Sequence, residues 1–217
     1  MDLMNYKEIL ASSASICTIS QFLAGILVCR KFIINKSTGD ASALPFVMCF
    51  MSCGLWMRYG QLIDDPHVIL VNLLGGVLQI SYTLIYLCYT TKRGTIVRQI
   101  IGALFFVTMV YAYSIMEFDR KVAASIVGFL SCSLTILFFA SPLIMLAHVI
   151  RVRSAESLPF PVITATFVSS ILWFTYGVLI DDTFIKTPNF LGCVLSGFQL
   201  ALFVVYPKKK VDQMYLI

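Results

Sequence analysis

Two side-chain types recur in this sequence at positions 117 residues apart, and both suit recognition of an uncharged, hydroxyl-rich molecule. Asn72 and Asn189 form one pair. Each amide offers two donors and an acceptor oxygen, which match hydroxyls that both give and take hydrogen bonds. Trp56 and Trp173, the only two tryptophans, form the other pair. An indole face packs against the C–H face of a saturated ring and leaves the ring's hydroxyls to polar partners. One helical turn before each Trp sit Ser52 and Ser169, on the same face by i, i+4 spacing. Singly, an Asn inside an apolar helix is packing glue and a Trp near a helix end is an interfacial anchor. Duplication of both types, with a serine beside each tryptophan in the same register, favours a binding role.

Residues for other chemistry are missing. All 11 acidic residues lie in loops, tails or helix margins. A carrier driven by protons or sodium usually keeps a buried carboxylate to couple the ion. The pattern therefore reads as facilitated, bidirectional diffusion down a gradient. His67 falls in an outer loop and His148 near an inner helix end, both solvated positions. With no nucleophile–base pair and no metal-ligand cluster, the expectation is a non-enzyme without cofactor or metal. Seven cysteines with no CxxC pair read as reduced, apolar thiols.

The elements that must carry these residues are membrane spans. The chain has 217 residues, 59% hydrophobic and 12% charged, against roughly 25% charged in an average globular protein. Runs 9–29, 67–90, 99–116, 122–147, 160–180 and 187–206 are nearly free of charge, and 44–63 carries one Arg. A bilayer crossing takes about 20 apolar residues, so the fold class expected is an all-α polytopic membrane protein with seven transmembrane helices in a lipid bilayer. The first run lacks a basic flank and a cleavage site, so it reads as a retained helix. With the N-terminus outside, inner segments hold 11 basic residues and outer segments four, Arg58 lying inside a span. That is a positive-inside asymmetry with a cytosolic C-terminus. The +5 charge belongs to the inner surface and marks no nucleic-acid site. The sequon Asn35-Lys36-Ser37 lies in an inner loop and is expected to stay unglycosylated. Arg58 is close enough to the outer end to snorkel and is assigned no transport role.

The duplication extends past the paired side chains. "LWMRYGQLIDDPHVILVNLLGG" (55–76) and "LWFTYGVLIDDTFIKTPNFLGC" (172–193) agree at 11 of 22 positions. "SALPF" (42–46) corresponds to "ESLPF" (156–160) at an offset of 114, so one loop is three residues shorter in the second copy. Each copy holds three spans, with a single crossing between them. The copies therefore enter the membrane in the same orientation, as parallel repeats. The expected division is a first three-helix repeat at 1–92, a linker helix at 93–121, a second repeat at 122–207 and a basic cytosolic tail at 208–217.

The paired "LPF", the "LW…YG" closing the same span, and the Asn after each "LIDD" loop resemble the SWEET family of sugar transporters over essentially the whole chain. The resemblance implies two three-helix bundles joined by a linker helix and a small neutral sugar as substrate. It also implies a sugar site bordered by Asn72, Asn189, Trp56, Trp173, Ser52, Ser169, Gln21 and Phe138. The bulk of Gln21 and Phe138 would narrow that site toward a monosaccharide. The family has four hinge prolines at its inner gate. Pro45, Pro142 and Pro159 match three, and Gly25 stands at the fourth. Glycine also flexes, but it leaves that hinge less defined. Tyr59 and Gly60 pair with Tyr176 and Gly177 on the outer side, and by resemblance Tyr59 bonding Asp182 would close the outer gate. Oligomers are common in the family, which leaves room for self-assembly. The plasma membrane is the expected location, with the Golgi or another endomembrane as the alternative.

Two rival readings fit less well. A seven-helix receptor would share the topology but not the duplicated triplet. A PQ-loop carrier of another solute, such as an amino acid, would show Pro-Gln where this chain has Pro45-Phe46 and Pro159-Phe160, and would tend to carry coupling carboxylates. The "YLI" ending hints at sorting or partner binding.

Overall fold

A bilayer offers no water to unpaired backbone groups, so spanning segments must close their own hydrogen bonds as helices. The computed structural model describes residues 3–206, and those residues form nine helical segments. The basic tail and its "YLI" ending lie outside the described residues. The segments are α1 (Leu3–Leu23), α2 (Gly25–Asn35), α3 (Leu44–Ile63), α4 (Pro66–Tyr89) and α5 (Arg93–Met116). They continue as α6 (Arg120–Leu137), α7 (Ala140–Val152), α8 (Phe160–Leu179) and α9 (Thr183–Val205). Two pairs are broken single spans: Asn5–Asn35 holds α1 and α2, and Arg120–Val152 holds α6 and α7. Counted so, the described residues form seven helical spans, as expected, and the protein is an integral membrane protein.

Six of the seven are apolar enough by length and composition to cross unaided; α3 is the exception among the described residues. Its last two turns carry Trp56, Arg58, Tyr59 and Gln61, so it depends on its neighbours for burial. Those neighbours also revise the snorkelling reading of Arg58. The guanidinium donates from Nε to Ser114 Oγ (2.7 Å), from Nη2 to the Ser114 carbonyl (3.2 Å) and from Nη1 to Gln61 Oε1 (3.1 Å). It also lies 5.5 Å from the Tyr111 ring centroid, within cation–π range. Arg58 is thus a tie between α3 and the linker helix α5, which Tyr111 reinforces by donating to the Gly54 carbonyl at 3.3 Å.

The chain divides into two compact units between Thr135 and Ile136. In the first, α4 packs against α1 and α2 on one side and α3 on the other, with α5 outside α3. In the second, α9 packs against both α7 and α8. Each copy thus places its third span between its first and second. At one end of the first unit Phe32, Ala43, Tyr86 and Ile96 form an apolar cluster. The second unit has Val149, Ala155, Leu158 and Ile163 buried with Phe203 and Tyr206 against them. The loop between first and second spans is fastened to the third span in both copies. Tyr86 donates from its hydroxyl to the Ala41 carbonyl (2.7 Å), and the Ala155 amide donates to the Tyr206 carbonyl (3.3 Å).

Candidate functional site

The repeated "YG…LIDD" has a clear local explanation. Each copy ends its second span in a left-handed residue, Asp64 at φ 56° and Asp181 at φ 52°. A short polar side chain tolerates that conformation better than a branched one. The next Asp then turns to extended backbone and caps the third span. Asp65 accepts from the amides of His67 (3.0 Å) and Val68 (3.1 Å), and Asp182 accepts from Ile185 (2.9 Å). Carboxylates at that position satisfy helix-start donors and suit the helix dipole. The Asp65 and Asp182 amides in turn donate to the Gly60 carbonyl (2.9 Å) and the Gly177 carbonyl (2.8 Å).

The two glycines let the hairpin close. A Cβ on Gly60 would lie 3.0 Å from the Ile69 nitrogen, and one on Gly177 would lie 2.8 Å from the Lys186 nitrogen. Their placement is therefore at the seam between second and third spans of each copy. Tyr59 and Tyr176, one residue earlier, are buried.

Each hairpin positions its tryptophan in the same way. Trp56 meets Tyr59 edge-on with centroids 5.7 Å apart, and Trp173 meets Tyr176 likewise at 5.7 Å. The indole N–H of Trp56 donates to Thr135 Oγ1 at 3.0 Å. Thr135 was not among the residues singled out from sequence, and a lone Thr in an apolar helix gives no signal by which to find it. Ser52 and Ser169 are buried beneath the tryptophans in their respective helices.

The asparagines also match. Asn72 donates from Nδ2 to the Val68 carbonyl (2.8 Å) and Asn189 from Nδ2 to the Ile185 carbonyl (2.7 Å). Each bond fixes the amide against its own helix and uses one of its two N–H donors. Both side chains are half-buried. Asn72 lines a largely apolar groove of about 430 Å³ among α3, α4 and α5, with Phe50, Met57, Val77 and Val107. Trp56 is not among that groove's lining residues. Gln21 lies on α1, where Nε2 reaches the Cys17 carbonyl at 3.5 Å. Phe138 lies in the two-residue break between α6 and α7.

Of the four expected hinge positions, Gly25 and Pro142 fall at or just after the breaks in the first spans, and Pro45 and Pro159 at the starts of the second spans. Gly25 opens α2 after a break at Ala24, and Pro142 is the third residue of α7. Pro45 lies in the first turn of α3, and Pro159 is the residue before α8. The Gly25 break is better defined than glycine alone requires, because the Tyr82 ring and hydroxyl are seated against it. His67 begins α4 and pairs with Glu8 at 2.9 Å, so it is a partnered residue and not a solvated loop histidine.

Comparison with known proteins places this geometry. A family model described as "Sugar efflux transporter for intercellular exchange" matches residues 8–94 and again 125–211, once in each copy. "Sugar transporter SWEET1" of Drosophila pseudoobscura pseudoobscura is 46% identical over 205 residues, covering 93% of this chain and 90% of that protein. "Bidirectional sugar transporter SWEET2" of Arabidopsis thaliana is 30% identical over 214 residues, covering 95% of this chain and 90% of the relative. The solved structure of a eukaryotic SWEET transporter superposes with a TM-score of 0.84 at 29% identity, covering 93% of this chain and 98% of the other. On two matches of one family model and full-length relatives, this chain belongs to the SWEET family of sugar transporters.

Proposed function

We propose that the protein is a facilitative, bidirectional sugar uniporter that works by alternating access, with a small neutral, glucose-like sugar as its substrate. The observation that supports this best is duplication of one polar and aromatic set, Asn, Trp and Ser, in both copies of a family whose named relatives move sugars. Asn72 and Asn189 would bond hydroxyls with their remaining amide groups, and Trp56 and Trp173 would pack on the ring's C–H face. Ser52, Ser169, Gln21 and Phe138 would border the same site. Asp65 and Asp182 cap the third spans, and Asp64 and Asp181 pair with Arg120 and Lys186; the uniport reading gives these acidic residues no part in ion coupling.

In this reading the outer gate closes through Tyr59 and Asp182, while Tyr176, Gly60 and Gly177 hold the hairpins around it. The inner gate flexes at Gly25, Pro45, Pro142 and Pro159. The N-terminus is outside, the C-terminus is cytosolic, and the plasma membrane is the site of action. The reading leaves room for self-assembly without requiring it, since a seven-helix unit can in principle enclose one path.

The test is counterflow in proteoliposomes. Vesicles preloaded with unlabelled glucose should take up labelled glucose faster than empty vesicles, with no effect of a proton ionophore. Collapse of uptake with the ionophore would indicate coupled transport and contradict the uniport reading.

A further inference from the structure

The two copies differ at the break in the first span, and a second difference on the third span matches it. Gly25 and Pro142 are equivalent at an offset of 117, and Tyr82 and Gln199 are equivalent at the same offset. In the first copy the Tyr82 hydroxyl, 60 residues away in sequence, donates to the Phe22 carbonyl at 3.2 Å. The Tyr82 ring fills the space a side chain at Gly25 would need, since a Cβ there would come within 2.7 Å of ring carbon Cδ2 and closer to Cε2. In the second copy Gln199 donates from Nε2 to the Pro142 carbonyl at 3.4 Å. Both donors are buried, Tyr82 at 3% and Gln199 at 6% exposure.

A helix break inside a bilayer leaves carbonyls without intrahelical donors, and an unmet polar group there is costly. The Phe22 carbonyl stands at such a break, at the end of α1, whereas the Pro142 carbonyl lies in the first turn of α7, where Gln199 adds a tie between first and third spans. Proline makes a break covalently, by removing an amide hydrogen and crowding the preceding turn. Glycine only permits one. A glycine hinge therefore needs something from outside the span to hold its geometry, and Tyr82 supplies both a wedge and a donor. The wedge also makes proline unacceptable at position 25, because proline would bring a Cβ and a ring into the tyrosine.

We propose that Tyr82 and Gln199 are hinge-positioning residues, each bracing the broken first span of its own copy. The pair Gly25–Tyr82 is then one solution to the hinge and Pro142–Gln199 another, and the two are interchangeable as pairs but not residue by residue. The consequence for transport rests on the alternating-access reading above; the brace itself does not.

Three variants of the full chain test it: Tyr82→Phe, Gly25→Pro, and Gly25→Pro with Tyr82→Gln. The primary readout is amide hydrogen exchange over residues 21–28 in lipid nanodiscs, with 138–144 as the internal control. Tyr82→Phe keeps the ring and removes the donor, so exchange at 21–28 should rise about fivefold, as expected for loss of one net hydrogen bond, with the control unchanged. In sugar counterflow the same variant should change Vmax while KM holds, because the residue positions a hinge and does not touch substrate. Gly25→Pro should lose folded yield or Vmax, and the paired substitution should restore it. Unchanged exchange in Tyr82→Phe, a Gly25→Pro chain that behaves as wild type, or a double variant no better than Gly25→Pro would each overturn the brace. A wild type that moves no sugar would instead refute the transport reading, and the exchange data would still decide the brace.

Discussion

Trp56 donates its indole N–H to Thr135 Oγ1 at 3.0 Å, which ties the second span of the first copy to α6. Thr135 is itself fixed, because its hydroxyl donates to the Ser131 carbonyl at 2.9 Å. The indole is thus held at both ends, by Thr135 and by the Tyr59 ring. Trp56→Phe keeps most of the ring and loses the donor, so it should cost about 1 kcal/mol of stability. Thr135→Val should cost a similar amount. A double-mutant cycle by thermal unfolding in detergent should give a coupling of about 1 kcal/mol, and additive effects would show that the bond contributes nothing.

Arg58 carries two hydrogen bonds and one ring contact across the α3–α5 seam, and a third hydrogen bond to Gln61 within α3. Replacing it with Met keeps the stem and removes the fork. Hydrogen bonds to charged groups are worth about 1.5–3 kcal/mol, so Arg58→Met should lower stability by about 2 kcal/mol. Uptake per folded molecule should be unchanged, which separates a structural tie from a transport role. Uptake lost at wild-type stability would contradict it.

The duplicated glycines differ in how closely the opposing backbone approaches. The Lys186 nitrogen leaves 2.8 Å for a Cβ at Gly177, and the Ile69 nitrogen leaves 3.0 Å at Gly60. Backbone cannot rotate away as a side chain can, so overpacking should be felt at both sites. Gly177→Ala should cost about 2 kcal/mol and Gly60→Ala about 1 kcal/mol. Melting temperatures of the two variants would check the order.

Orientation has a simple chemical test. The sequon at Asn35 lies at the C-terminal end of α2, in a loop that the positive-inside asymmetry puts in the cytosol. In a eukaryotic host it should remain unmodified, while a sequon introduced in the segment between α5 and α6 should be glycosylated. Endoglycosidase-sensitive mass at Asn35 would invert the topology.

Spans, repeat and family were legible in the sequence because the bilayer imposes long apolar runs and duplication leaves identities in register. The "LIDD" turn was visible as a repeat but its cause was not. That required seeing Asp64 and Asp181 in left-handed backbone and Asp65 and Asp182 capping the helices that follow. The span 44–63 was counted from its length, and its Arg58 finds its partner on α5 at Ser114. That partnership joins residues 56 apart in sequence, which no local pattern encodes. Tyr82 and Gln199 were missed for the same reason: each looks like an ordinary polar residue in an apolar helix until the broken span lies against it. The candidate binding residues were legible as duplicated types, and their role in one sugar site is the part the account proposes.

That part is tested most directly by uptake of labelled glucose into proteoliposomes bearing wild type, Asn189→Ala or Trp173→Ala, each matched for folded protein. The account predicts saturable uptake by wild type and loss of at least tenfold, about 1.4 kcal/mol of binding, in both variants. Uptake that survives both substitutions at wild-type KM and Vmax would leave the family assignment standing and contradict the proposed site.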